Sequence, residues 1–149
     1  MKQPDFPIKR RLNRDTRRMY NRKGLKTDEL YLLLEDFQVK TSAGIYNFKK
    51  GYVWDQASVP QFLRGLLDND SPEVVIAAMV HDANFSQKYL GYKGANTLFR
   101  EMMIDNGMSK FKARLYWVGV ASRKGKRIYD SIDKESSWHK GLVVFIPFN

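Results

Sequence analysis

Cysteine is absent from the 149 residues, and histidine occurs only twice, as His81 and His139. Without thiols the chain has no disulfide, no thiolate zinc site, no iron–sulfur cluster and no cysteine nucleophile. With two imidazoles, any metal site has to be built mostly from oxygen ligands, which suits hard cations. No apolar run approaches the ~20 residues of a membrane span. The charged N-terminus also lacks the apolar stretch of a secretory signal. Neither a membrane span nor a signal peptide is therefore expected. Acidic residues are scarce in one place above all. Residues 1–26 hold ten Lys/Arg against Asp5 and Asp15, so this segment carries +8 of the chain's net +10.

Hydrophobic residues make up 43% and aromatics 13%, enough to build a core. The length fits one domain. The organisation this implies is a basic N-terminal arm, residues 1–28, followed by a single α+β domain, residues 29–149. Pro4 and Pro7 oppose a helix at the start of the arm. A short helix between Asn13 and Lys23 would have only Met19 and Tyr20 to anchor it.

In the domain, Leu30–Leu34 is an apolar run that suits a strand or a helical turn. Phe37–Thr41 and Ile45–Phe48 alternate around the turn signal Ser42-Ala43-Gly44, which predicts a hairpin. Tyr52-Val53-Trp54 is a short third strand. A helix is expected from Pro60 through Leu67. Ser71-Pro72-Glu73 is a start signal for a longer one, running through His81-Asp82 towards Phe85. Gly91 and Gly94 are expected to break the pattern. Ala95, Leu98, Phe99, Met102 and Met103 then recur at helical spacing as far as Asn106-Gly107. Ser109 suits the cap of a last helix through Ser122, with Arg123–Arg127 as its cationic C-terminal end. Leu142–Ile146 reads as a strand at a sheet edge. The fold class is thus α+β, a small antiparallel hairpin or sheet packed on a helical hairpin.

His81 shares a helical stripe with Val74, Ala78 and Phe85, so it should face inward, with Asp82 turned about 100° away. A buried imidazole needs partners for its ring nitrogens. A histidine held in this way is either a satisfied core residue or a general base. Asp55 and Ser58 lie between a strand and a helix start. There Ser58 suits a cap, and Asp55 could ligate a cation or hold His81. No Gly-x-Ser-x-Gly elbow surrounds Ser58, and there is no phosphate loop or dinucleotide fingerprint.

Taken in order, three stretches resemble a phage and prophage family, domain of unknown function 1353. They are Gly51-Tyr52-Val53-Trp54-Asp55-Gln56-Ala57-Ser58-Val59-Pro60, then Ala77 through His81-Asp82 to Phe85, then Ala95-Asn96-Thr97-Leu98-Phe99. The resemblance covers about residues 30–125. The helix pair is also similar to that of secretory phospholipases. By position, that similarity implies His81 as a water-activating base, Asn96 as its orienting residue and Asp82 as ligand of a cation such as Ca²⁺, with Asp55, from the first stretch, as the other candidate ligand. Two residues depart from the family pattern. Asn96 stands where Asp is usual and cannot stabilise an imidazolium by charge. The equivalent change in a Ser-His-Asp triad costs about 10⁴-fold. Phe85 stands where Tyr is usual and removes a hydroxyl.

The arm supplies Arg10, Arg11, Arg14, Arg17, Arg18 and Arg22 as contacts for phosphates or an acidic partner. Phe6 and Tyr20 are its only aromatics, so base stacking is not prominent. A helix-turn-helix over residues 72–106 would have a long turn and a hydrophobic second helix. The expected function is that of a small phage-encoded protein, virion- or tail-associated, with a degenerate His-Asp hydrolase-like site. It would reside in the virion or the infected bacterial cytoplasm, with other phage proteins as partners. The alternatives are an active metal-assisted hydrolase on lipid or cell-wall substrate, and a protein that binds DNA through residues 1–26.

Overall fold

The computed structural model describes residues 30–55, 72–137 and 139–148. The basic arm, the short helix expected through Leu67 and the caps expected at Ser58 and Ser71 lie outside the described residues. Four strands come first: β1 (Leu30–Leu32), β2 (Phe37–Lys40), β3 (Gly44–Phe48) and β4 (Val53–Asp55). Four helices follow among the described residues: α1 (Pro72–Gln87), α2 (Gly91–Asp105), α3 (Lys110–Val120) and α4 (Arg123–Ser131). Strand β5 (Val143–Pro147) comes last. All pairings are antiparallel, so the fold is α+β as the patterning predicts.

The β2–β3 hairpin forms where alternation and turn chemistry agree. Thr41 Oγ1 accepts from the amides of Ala43 and Gly44 at 3.2 and 3.1 Å, closing the turn. β1 proves to be a strand and pairs with β4, so the hairpin is nested between the two members of a second, two-stranded sheet. Amide and carbonyl groups continue the link, Leu33 N–H to Tyr52 at 2.9 Å and Gly51 N–H to Leu33 at 2.9 Å. β5 returns from the end of the chain and adds to β3 as an edge strand. Gly44 is required at that seam, because a Cβ there would lie 2.3 Å from the Ile146 carbonyl oxygen.

α1 is the centre of the molecule. Val74 through Val80 are all buried, so the helix is apolar around its circumference rather than along one stripe. Three aromatic side chains, two from strands and Tyr52 from just before β4, set their polar tips on it. The Trp54 indole donates to the Val75 carbonyl at 3.2 Å, the Tyr52 hydroxyl to that of Met79 at 3.0 Å, and the Tyr46 hydroxyl to Asn84 Oδ1 at 2.8 Å. Their rings line up across both sheets, with Phe48 and Tyr52 4.8 Å apart and Tyr46 and Phe145 4.5 Å apart.

α1 ends at Lys88, which takes a left-handed φ of 61° that is unusual for a non-glycine residue. Its ammonium holds that position from α4, 3.4 Å over the Tyr129 ring and bonded to the Tyr129 carbonyl. α2 begins at Gly91 with Gly94 inside its first turns, so the break lies at residues 88–90 and not at the glycines. The last helix is two helices. Ser109 caps α3 by accepting from Lys112 N–H at 3.2 Å, and Ser122 caps α4 in the same way from Gly125 N–H at 3.2 Å. The cluster Arg123–Arg127 is therefore the start of α4 and not the end of the helix before it. The serine read as the end of α3 is the cap of the next helix.

Candidate functional site: the His81–Asn96 helix pair

α1 and α2 are joined by the short turn at residues 88–90 and form the helical hairpin that carries His81 and Asn96. Both side chains are buried, at 6% and 2% exposure. His81 Nε2 and Asn96 Oδ1 lie 2.8 Å apart. With the amide oxygen as acceptor, Nε2 carries the proton and Nδ1 the lone pair. Phe85 and Phe99 enclose the imidazole, with ring centroids 4.1 and 4.9 Å away. This apolar setting pushes the His81 pKa down to about 4, chiefly through desolvation, and the Asn96 bond offsets only part of that. At neutral pH the ring is uncharged and able to accept a proton. An imidazolium formed by that step would face two phenyl rings and a neutral amide, with no carboxylate at Nε2 to stabilise it.

Asp82 is half-buried, and its backbone carbonyl faces the ring of His139. Asp55 ends β4 opposite Leu30, and its side chain lies outside what the structure describes. Calcium takes six to eight oxygen ligands. Among the described residues no group of three or more His, Asp or Glu side chains is placed to hold a metal. Of the residues singled out from the sequence, the structure thus brings His81 and Asn96 into contact. It supplies no described carboxylate cluster around Asp82.

The second histidine is a feature that sequence reasoning missed. His139 is buried at 3% exposure. Its Nε2 donates to the Val53 carbonyl at 2.6 Å, and its Nδ1 accepts from the Ser86 hydroxyl at 2.7 Å. The ring stacks on Tyr52 at 4.2 Å. Burial pushes its pKa down to about 4 as well. A serine hydroxyl bonded to an imidazole is the first half of a nucleophile–base pair. Here, however, both groups are buried and both ring nitrogens are engaged, so the pair fastens the segment before β5 onto α1 and β4. Periodicity carries no trace of this contact. The one available signal was the rarity of histidine in the chain.

A nested pair of small antiparallel sheets covering a helical hairpin, with a histidine on one helix paired to a side-chain amide on the other, defines the class of this protein. The chain belongs to the family described as protein of unknown function (DUF1353), whose sequence pattern matches residues 31–120. No curated protein and no solved structure matches it. The match ends with α3, so α4, His139 and β5 lie beyond it.

Proposed function

We propose that this protein is a phage-encoded, virion- or tail-associated accessory protein in which the His81 site serves as a brace between helices rather than as a turnover site. The observation that carries this reading is the partner of His81, a neutral amide 2.8 Å away in an apolar enclosure. That arrangement gives the Nε2–H of a neutral imidazole its acceptor and supports an imidazolium poorly. The function then rests on surfaces. The +8 arm is the first of these, and its arginines Arg10 through Arg22 suit acidic neighbours in an assembly. The test is mass spectrometry of purified particles from the phage or prophage whose genome encodes the chain. The protein is expected in mature particles or their precursors, and its absence at every stage removes the virion reading.

Active hydrolysis of a lipid or cell-wall substrate is the second reading, favoured by the neutral state of His81 at pH 7. It requires wild type to turn over a substrate in a panel with and without Ca²⁺. It also requires His81→Ala to abolish turnover while the melting transition stays cooperative. DNA binding through residues 1–26 is the third. It predicts duplex affinity that falls steeply with salt.

A further inference from the structure

We propose that the solvent face of α3 and α4 docks on an anionic lipid bilayer surface. On α3, Ala113, Tyr116 and Val120 face the core. The opposite side presents Phe111 at 71% exposure and Val118 at 46%, one stripe with half-buried Leu115 between them and Arg114 alongside. On α4, Gly125 packs against the end of α3, and the solvent side carries Arg123, Lys124, Arg127 and Ile128, the last 41% exposed. Lys126 is engaged with Asp130. The two helices are separated only by Ala121-Ser122, so in the chain the helix with the apolar stripe is followed directly by the cationic one.

Two features of this surface are unfavourable for the free protein. Between residues 106 and 129 there are seven Lys/Arg and no Asp or Glu. Four of those cations stand in the first five residues of α4, at the positive end of its macrodipole, where they oppose helix formation. Phe111 and Val118 likewise expose large apolar side chains to water. A single partner relieves both features if it is negatively charged and has an apolar layer beneath its charges. A bilayer with anionic headgroups is such a partner. Headgroup phosphates neutralise Arg123, Lys124 and Arg127, and Phe111, Val118 and Ile128 enter the headgroup–acyl boundary. A nucleic-acid duplex accounts for the cations and leaves the three apolar side chains facing phosphates and water. None of the described helices is long and apolar enough to cross a membrane, so the contact is peripheral.

The test is co-sedimentation of the full chain with two kinds of vesicle. One kind is pure phosphatidylcholine, and in the other phosphatidylglycerol replaces about a third of the lipid. Phe111→Ser/Val118→Ser removes the apolar stripe and keeps every charge, the arm included. Arg123→Gln/Lys124→Gln/Arg127→Gln removes the unpaired cations. All five side chains are exposed, so the apolar variant should melt like wild type and the charge variant no lower than it. Wild type is expected on the anionic vesicles and not on the neutral ones. The apolar variant is expected to bind about tenfold more weakly or worse. At about fivefold per cation, the charge variant should lose about 100-fold and show a flatter salt dependence. The proposal is overturned if wild type stays in solution, or if the apolar variant binds like wild type, which would assign binding to the arm alone. It is equally overturned if the two variants lose affinity for duplex DNA and not for vesicles. A dimer that Phe111→Ser/Val118→Ser converts to monomer would also overturn it, by assigning the face to a second copy.

Discussion

Both histidines are buried, neutral and held by specific partners, yet their partners give them different roles. His81 joins two helices through Asn96, and His139 pins the C-terminal segment through Ser86 and Val53. Each has a folded pKa of about 4 against about 6.5 in the unfolded chain. Between those values the unfolded state binds more protons, so stability is complete above pH 6.5 and falls as pH drops towards 4. The loss should be on the order of 3 kcal/mol for each ring. Urea midpoints between pH 7 and 5, above the range of most carboxylates, should show this slope, and His139→Gln should remove about half of it. Asn96→Asp tests the partner of His81. A carboxylate at Nε2 favours the imidazolium, so the His81 pKa should move upward from about 4. NMR titration of the ring would follow this directly. A ring still titrating near 4 would mean that burial outweighs the partner.

α4 contrasts with α1. α1 has no solvent side worth the name, whereas α4 is held by its cap, by Gly125 and by Tyr129 and is otherwise exposed. Ser122→Ala should cost about 1 kcal/mol, measured by chemical denaturation. Gly125→Ala should cost more, about 1–3 kcal/mol, because its Cβ would lie 2.1 Å from the Val120 carbonyl oxygen and force the two helices apart. Lys124→Glu should do the opposite. A carboxylate near the helix N-terminus, among cations, should stabilise the free protein by about 0.5 kcal/mol. A lower melting temperature for Lys124→Glu would show that the basic start of α4 does serve the fold.

Across the whole molecule, the first and last parts of the described chain meet. β5 completes the sheet begun by β2 and β3, and His139 closes over Tyr52 and α1. The family pattern stops at residue 120. The fold does not, because Tyr46 and Phe48 are buried partly under β5 and Val143 belongs to the core. A chain ending at Ser131 should therefore lose its cooperative melting transition, and near-ultraviolet circular dichroism would report this through the tyrosines. Much of the architecture was legible because local signals agreed with one another. The hairpin had alternation and a turn residue, α1 had an apolar run after Pro72, and β5 had an apolar tail. The division of α3 from α4 was not legible. Ser122 can end one helix or begin the next, and only the fit of Gly125 against Val120 decides between them. His139 was not legible either, since its partners stand 53 and 86 residues away.

The sequence by itself determined what could be decided locally. It excluded thiol chemistry, segregated charge into residues 1–26, set the period of each strand and helix, and placed His81 on an inward stripe. Hydrophobic period and capping act over a few residues, and a sequence displays them. Tertiary structure alone decided that β1 leaves the hairpin to pair with β4, that His139 fastens the C-terminal segment, and that the cations of α4 stand at a helix start. Each of these depends on which distant segments come into contact when the core closes around α1. That choice is made by packing and hydrogen-bond satisfaction over the whole chain.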